Sequence, residues 1–504
     1  MKWALLILMC ACAAGQGRAA VRMPAVFSDH AVLQQGVTVP VWGWADKGEK
    51  VTVALGGQTQ TATAGGDGKW RVDLKPLSRT EKEQALEMTI TGTNMIRIQD
   101  VLVGETWLCA GQSNMVMTVA ESKDYEKEKA AATLPQIRMF TVKSGRAEQA
   151  QEDCEGAWVV CGPETVGEFS AVGFYFARKI QQRLGGAVGV INSSAGGTLI
   201  ESWLDREVQE KYGELKPYFV QRERLMAEFD REKAAKAHEA ALIKWKAAVD
   251  AAHGTGKAEP KRPSDPYASF LGVMNVGGLH NGKIAPLAPY AVRGMLWYQG
   301  ESNATAERAP FYETQMRLLV KDWRACWGAE LPFAWVQLPN LNKKAAWPEI
   351  REAQRRCLDL PKTGMAITLD VGESKDVHPK NKQVVGHRLA LWALGKVYGQ
   401  DVPATSGPLL VKQEIRGGEI ALCFEHANGG LVAQGGGALK GFVIAGENRA
   451  WKPAVARIEG DVVIVSAPQV RSPVAVRYAW AADPEFNLFN GEGLPASPFR
   501  TDLW

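Results

Sequence analysis

A serine at position 113 follows an apolar run and a glycine in the stretch Gly111-Gln112-Ser113-Asn114-Met115. A serine on a turn just past a strand projects its hydroxyl, and its backbone N–H faces the same space. The stretch differs from the Gly-x-Ser-x-Gly elbow, because Met115 replaces the second glycine. A serine in such a turn is often only a turn residue or a helix cap. Ser113 therefore needs partners elsewhere in the chain.

The histidine best placed to activate a serine is His378, in a stretch that begins at Asp370. Pro379 suits the first turn of a helix, so His378 is predicted to lie in a loop against a helix start. In such a loop Asp376 can fold back onto His378, fix the imidazole tautomer and stabilise the imidazolium. The other histidines are predicted in helices or β regions, except His280, a candidate for the pocket wall.

Paired glycines occur in Asn192-Ser-Ser-Ala-Gly-Gly-Thr, at positions 196 and 197. Glycines let the backbone approach a ligand closely, so an N–H of Gly196 or Gly197 can serve an oxyanion. The alternative is a plain tight turn.

Another polar cluster, Gln299-Gly-Glu-Ser-Asn, follows an apolar strand pattern directly. Gln299 can donate a hydrogen bond to a developing oxyanion. Glu301 is expected to order neighbouring loops rather than to transfer protons. Asn303 and Gln112 are predicted to support the site.

All four clusters lie where predicted strands end. The apolar strand candidates are Asp100–Cys109, Ala187–Ile191, Val292–Tyr298, Phe333–Leu338 and Met365–Leu369. Helical patterns alternate with them, which predicts an α/β fold with a parallel sheet and helices on both faces. In such sheets ligands bind beyond the carboxyl ends of the strands. We therefore expect the four clusters to meet there.

Together these residue types predict acyl transfer. Ser113 attacks an ester carbonyl while His378 removes its proton, and Asp376 orients His378. Hydrogen-bond donors near Ser113, Gly197 and Gln299 hold the tetrahedral oxyanion.

The pattern of predicted strands and helices divides the rest of the chain into regions. Residues 21–98 alternate as short strands and predict an N-terminal β domain, and residues 99–401 carry the α/β pattern. Within it, residues from about 205 to 265 are rich in Glu, Lys and Ala and predict a helical insertion with a solvated face. Strand patterns return in residues 402–504 and predict a C-terminal β region.

Residues 1–20 have the layout of a secretory signal, with a positive start and the apolar run Trp3–Met9. Cleavage is expected near Ala19 or Ala20, and a lipid-modified Cys10 or Cys12 is the alternative. The apolar run is shorter than the roughly 20 residues that span a bilayer, so no membrane span is expected. The predicted location is secreted or periplasmic.

The formal net charge of +4 is small for 504 residues and gives no reason to expect nucleic acid binding, which normally requires a concentrated basic face.

Cys154 and Cys161 are close enough in sequence to form a disulfide, and free buried thiols are the alternative. Cys-x-x-Cys spacing is missing, so no structural metal and no cofactor are predicted. The sequence leaves the oligomeric state open.

Several stretches resemble the sialate O-acetylesterase family of the SGNH hydrolases. They begin at Phe27, Gly111, Trp297, Asp376 and Ala445 and read Phe-Ser-Asp-His-Ala-Val-Leu-Gln, Gly-Gln-Ser-Asn-Met, Trp-Tyr-Gln-Gly-Glu-Ser-Asn, Asp-Val-His-Pro-Lys-Asn-Lys and Ala-Gly-Glu-Asn. The resemblance implies a three-layer α/β/α SGNH core flanked by β-sandwich-like regions. It also implies removal of O-acetyl groups from sugars, without a cofactor.

The same resemblance implies that Ser113 is the nucleophile, His378 the base and Asp376 the acid. It also implies that Gly197 and Gln299 occupy the oxyanion positions. Many SGNH enzymes have an asparagine where this chain has Gln299, and Gly196 is an alternative to Gly197.

An O-acetylated sialic acid is the expected substrate, with acetylated xylan or another polysaccharide as the alternative. Four arginines are candidates to bind the sialic acid carboxylate, and the sequence does not distinguish among them: Arg293, Arg308, Arg351 and Arg355. A non-catalytic carbohydrate-binding protein is disfavoured because serine, histidine and aspartate are all present. A metal-dependent hydrolase is disfavoured because no cluster shows ligand spacing.

Overall fold

The computed structural model describes residues 21–80, 84–253, 259–343 and 345–504. The predicted signal, residues 1–20, lies outside the described residues. Across the described ranges, no helix has both the length and the apolar character that crossing a membrane requires.

The N-terminal region is built of short strands. They are β1 (Val32–Gln34), β2 (Val39–Trp44), β3 (Lys50–Leu55), β4 (Gln58–Thr63), β5 (Lys69–Leu74), β6 (Leu86–Thr91) and β7 (Met95–Gly111). β2 pairs with β5, while β4, β3 and β6 form a second antiparallel sheet. Val51, Val53 and Leu55 are buried, because alternate side chains of β3 point to the same face.

A parallel sheet forms the centre of the molecule. Besides β7 it contains β8 (Leu134–Thr141), β10 (Ala187–Ser194), β11 (Gly294–Tyr298), β12 (Phe333–Val336) and β13 (Thr363–Ala366), with β9 (Trp158–Cys161) antiparallel at one edge. The order across the sheet is β13–β12–β11–β7–β10–β8–β9. β7 is therefore a central strand, and Ser113 follows its carboxyl end.

β7 belongs to two sheets. Its residues 95–101 pair with β6, and its residues 104–111 pair with β10. One continuous strand thus connects the N-terminal sheet to the turn that carries Ser113.

Helices cover both faces of the central sheet. The helices are α1 (Ser113–Val116), α2 (Tyr125–Ala130), α3 (Ala171–Leu184), α4 (Arg206–Glu210), α5 (Lys216–Glu228), α6 (Arg231–Ala252), α7 (Pro266–Met274), α8 (Ala309–Trp327), α9 (Trp347–Arg356) and α10 (Lys382–Trp392). Leu296 and Tyr298 pack on the face covered by α3 and α10. Met295 and Trp297 pack on the other face, against α8 and α9. This alternation along β11 produces a three-layer α/β/α core.

Helices α4 to α7 form the insertion, which continues beyond the predicted limit at about 265 to Met274. The described side chains of α6 include none that is buried. Its charges therefore lie on a solvated surface.

The C-terminal region consists of strands and has its own core. The strands are β14 (Leu409–Arg416), β15 (Glu419–Glu425), β16 (Leu431–Ala433), β17 (Phe442–Gly446), β18 (Lys452–Pro453), β19 (Val455–Glu459), β20 (Val462–Ser466), β21 (Pro473–Tyr478), β22 (Leu488–Asn490) and β23 (Phe499–Arg500). Two four-stranded sheets, β14–β15–β20–β19 and β18–β17–β21–β23, enclose Ile420, Val463 and Tyr478.

Arg351 fastens the C-terminal region to the core. Its fully buried guanidinium donates hydrogen bonds to the carbonyl oxygens of Leu338, Pro339, Ala481 and Ala482. These four hydrogen bonds give Arg351 a structural role and remove it from the arginines considered for substrate binding.

The fold class predicted from the sequence is confirmed: an α/β/α core with β-rich flanks and a helical insertion. All five predicted core strands exist, with ends shifted by a few residues. β8 and β9 were not predicted. Cys154 and Cys161 are free thiols, so no disulfide closes that loop. The domain boundaries at about 99 and 402 stay a prediction.

Candidate active site

Ser113 is the first residue of α1, directly beyond the end of β7. Gly111 makes this turn with φ of 137°, and a Cβ there would lie 2.1 Å from the carbonyl oxygen of Tyr298. Only glycine fits, because β11 passes so closely. Gln112 then donates its N–H to the same carbonyl at 2.9 Å. The local sequence thus fixes the half-buried Ser113 at the carboxyl edge of the sheet.

His378 reaches Ser113 from the loop before α10. Its Nε2 lies 2.8 Å from Ser113 Oγ, which is hydrogen-bond distance. α10 begins at Lys382, three residues later than Pro379 suggests, with Asn381 as its N-cap. The two residues are 265 positions apart in the chain, and the fold brings their side chains together.

Asp376 contacts His378 through the backbone. Its Oδ1 accepts a hydrogen bond from the His378 N–H at 2.9 Å. Within the part of the chain that the structure describes, no hydrogen bond or ion pair joins this carboxylate to the imidazole. Asp376 therefore holds the loop in this arrangement, and its role as the triad acid stays a prediction.

The backbone N–H of Ser113 and a glycine turn lie beside the serine side chain. The Ser113 N–H begins a helix, and no hydrogen bond from it occurs among the described residues. The turn at Gly196 and Gly197 is exposed and lies alongside, since a Cβ on Gly196 would be 3.8 Å from Ser113 Cβ. Gly197 has φ of 67° and open space around it. Both glycines are thus available for close approach by a ligand.

Gln299 is fully buried and lies in a polar network. Its Nε2 donates to the carbonyl oxygen of Thr198 at 3.0 Å and to Asn303 Oδ1 at 2.7 Å. Its Oε1 accepts from the Tyr312 hydroxyl at 3.0 Å. Because both N–H groups of the amide are in use, an oxyanion role for Gln299 requires one of these bonds to open. That role stays a prediction.

Asn303 extends this network to a carboxylate that was not predicted, Glu201. The Asn303 Nδ2 donates to Glu201 Oε2 at 2.9 Å, and the Tyr218 hydroxyl donates to Oε1 at 3.1 Å. Burial raises the pKa of Glu201, while the hydrogen bond from Asn303 lowers it. Asn303 therefore connects Gln299 to Glu201, and Glu201 connects this network to the insertion through Tyr218. Support of the site by Asn303 stays a prediction.

A second buried network lies beneath Ser113, around Asn114. The Asn114 Nδ2 donates to Glu301 Oε1 and, at 2.9 Å, to the carbonyl oxygen of Val377. Its Oδ1 accepts from Lys382 Nζ. Burial lowers the pKa of Lys382 to about 7, although Glu301 raises it. Burial raises the pKa of Glu301.

The sequence motifs contain Asn114 and Lys382, but no pattern indicated that they contact each other. Glu301 accepts a hydrogen bond from Asn114, which lies in a neighbouring loop. Gln112 contacts the loop of Glu301 as well, because its Oε1 accepts the Ser302 N–H at 3.3 Å. The supporting roles of Glu301 and Gln112 stay predictions.

A cavity of about 930 Å³ opens beside Glu301 and Ser302. Its walls come from α8, α9, the loops that precede these two helices and the C-terminal region. They include Lys343, Trp347, Arg356, Trp480 and Arg500. Aromatic and charged side chains around a cavity of this size suit a polar ligand larger than acetate.

Comparison with known proteins identifies the family of this chain. Residues 103–230 and 248–394 match the model of a family described as carbohydrate esterase, sialic acid-specific acetylesterase. The chain is 29% identical over 457 residues to the sialate O-acetylesterase of Rattus norvegicus, covering 82% of this chain and 80% of the relative. It is 28% identical over 519 residues to that of Homo sapiens, covering 94% and 90%.

Among solved structures, a carbohydrate acetylesterase from Xanthomonas citri has a TM-score of 0.80 and 34% identity. The match covers 96% of this chain and 100% of that one. The family match spans more than half of the chain, and the solved relative spans nearly all of it. The chain therefore belongs to the sialic acid-specific acetylesterase family of carbohydrate esterases and is a carboxylic ester hydrolase.

Proposed function

We propose that this protein removes O-acetyl groups from sialic acids by acyl transfer through Ser113. The observation that carries the proposal is the 2.8 Å contact between Ser113 Oγ and His378 Nε2. His378 accepts the hydroxyl proton while Oγ attacks the acetyl carbonyl. The tetrahedral intermediate collapses to an acetyl-enzyme, and His378 returns the proton to the departing sugar oxygen. Water then attacks the acetyl-enzyme by the same route in reverse and releases acetate.

The oxyanion would be held by the N–H groups of Ser113 and Gly197, with Gln299 as a third donor. The first two N–H groups support this assignment because no protein acceptor competes for them among the described residues. Gln299 donates to the oxyanion once its hydrogen bond to Asn303 breaks. Donors that are fixed before the reaction stabilise developing charge without reorganisation.

Asp376 is proposed as the acid that supports His378. Its carboxylate accepts the His378 backbone N–H at 2.9 Å, which keeps this acidic group on the loop that carries the imidazole. A negative charge nearby favours the imidazolium that forms during attack.

The sialic acid assignment rests on the relatives and on the cavity. The curated relatives are named sialate O-acetylesterases. The cavity lining includes Lys343, whose side chain can face a sugar carboxylate. The other basic side chains of the lining are paired, Arg356 with Glu352 at 3.0 Å and Arg500 with Asp502 at 3.8 Å. Arg293 and Arg355 are also paired, with Glu105 and Glu352.

Acetate release from di-O-acetylated sialic acid and from acetylated xylan tests this function. We expect release from the sialic acid by the wild type and by the exposed-serine control Ser269→Ala. Ser113→Ala should release almost none. Equal release by Ser113→Ala would refute the nucleophile. Release from xylan alone would keep the mechanism and refute the substrate, whereas binding without turnover would indicate a binding protein.

Export is part of the proposal, because residues 1–20 have the layout of a signal. The N-terminal sequence of the mature protein, recovered from the periplasm or medium of an expressing bacterium, is expected to start close to residue 21. An intact Met1 on protein that stays in the cytoplasm would refute it.

A further inference from the structure

Three side chains of different chemistry gather away from the serine. Asp322 and Cys326 are four residues apart on α8, so they lie on the same side of the helix one turn apart. His280 comes from a segment distant in sequence and completes the group. Asp322 and His280 are buried, and Cys326 is partly buried. The group joins α8 to the chain segment that precedes β11.

Two of the three distances between these atoms match those of ligands around one ion. His280 Nε2 lies 3.6 Å from Asp322 Oδ2 and 3.6 Å from Cys326 Sγ, and all three ligand atoms lie within 4.8 Å of one another. In a tetrahedral zinc site, bonds of about 2.0–2.3 Å place neighbouring ligand atoms about 3.3–3.6 Å apart. A direct hydrogen bond between imidazole and carboxylate would be much shorter than 3.6 Å.

Neighbouring groups already orient two of the ligands. The Asp205 N–H donates to Asp322 Oδ2 at 2.9 Å and holds that carboxylate in place. The other imidazole nitrogen of His280, Nδ1, lies 3.5 Å from Asn281 Oδ1, which leaves Nε2 directed at the cluster. Outer contacts of this kind orient the ligands of protein metal sites.

We propose that His280, Asp322 and Cys326 bind one Zn²⁺ ion, with water as the fourth ligand. Imidazole, thiolate and carboxylate together suit zinc, whereas Mg²⁺ and Ca²⁺ prefer oxygen ligands alone. On binding, the Cys326 thiol loses its proton to solvent, and the ion takes over the negative charge. The ion fastens α8 to the segment before β11 and takes no part in the chemistry of Ser113.

Metal uptake by the tag-free, chelator-treated full chain tests the site. We expect about one Zn²⁺ per chain by equilibrium dialysis, and a higher melting temperature with zinc, since a ligand that binds only the folded state stabilises it. Cobalt should give a thiolate-to-metal absorption band. Failure of the wild type to take up zinc would overturn the proposal.

Variants locate the ion. Cys326→Ala should lose the cobalt band, and Cys326→Ala and Asp322→Asn should each weaken zinc affinity at least about tenfold. Cys423→Ala, which removes another free and partly buried thiol, should leave both unchanged. Unaltered affinity in Cys326→Ala, checked for folding by circular dichroism, would show that zinc binds elsewhere and would refute this site.

Discussion

Asn114 donates a hydrogen bond from its side chain to the carbonyl oxygen of Val377 at 2.9 Å. Asn114 follows the proposed nucleophile Ser113, and Val377 precedes the proposed base His378. One amide therefore connects the two loops whose separation sets the distance from Ser113 Oγ to His378 Nε2. This contact is fully buried on the Asn114 side and competes little with water.

Asn114→Ala tests this connection. Losing the amide leaves the carbonyl of Val377 and the amine of Lys382 without their partner, and such losses cost about 1–3 kcal/mol each. We expect kcat to fall about 10- to 100-fold with little change in KM, because the reacting atoms lose their alignment. Steady-state kinetics measures kcat and KM separately. Asn448→Ala, on an exposed loop, is the control, and wild-type kcat in Asn114→Ala would contradict the connection.

The sequence indicated which polar residues would lie together at the candidate site because these residues follow strand ends. An apolar run followed by polar residues marks where β7, β10 and β11 stop, and parallel strands place those ends side by side. Ser113 and His378 were found in this way without knowledge of their contact.

Other features depend on contacts that one sequence does not reveal. Lys382 falls within a helix whose pattern is apolar, and only the fold shows that its amine faces Asn114. Likewise, the use of both Gln299 N–H groups follows from the positions of Thr198 and Asn303. His280 and Asp322 are distant from each other in the sequence, so the sequence shows no metal-ligand spacing that includes both.

Gln299→Leu tests the third oxyanion donor. If the amide reaches the oxyanion, we expect kcat to fall about 100-fold, close to 3 kcal/mol, at nearly constant KM. The melting temperature and kcat per folded molecule should both be measured. A lower melting temperature with unchanged kcat would assign Gln299 to support of the turn at Thr198 instead.

Gly111→Ala tests the close approach of β11 to the turn before Ser113. The added methyl would meet the Tyr298 carbonyl oxygen at 2.1 Å and would also be strained by the positive φ. We expect a loss of more than about 3 kcal/mol in the free energy of unfolding, measured by denaturant titration. Gly36→Ala is the matched control, with φ of 71° and no atom within 4 Å, and should cost only about 1 kcal/mol. Equal losses would mean that strain, not the contact, matters at Gly111.

The lowered pKa of Lys382 predicts that the free energy of unfolding depends on pH. Its pKa in the folded protein is about 7, below its ordinary value of 10.5, because burial disfavours the charged amine. Between these two values the unfolded chain binds more protons than the folded one, so the contribution of Lys382 to stability rises with pH from about 7 to about 10.5. Below pH 7 both states are protonated, and the cost of burying the charge is fully present.

Lys382→Met removes this titration. We expect the free energy of unfolding of the wild type, relative to Lys382→Met, to rise by up to about 1.4 kcal/mol per pH unit above pH 7. Denaturant titrations at several values between pH 7 and 9.5 measure it, and Lys244→Met, an exposed lysine on α6, should show no such slope. A relative stability that is flat, or that falls with pH, would mean that the amine of Lys382 stays charged beside Glu301 throughout this range.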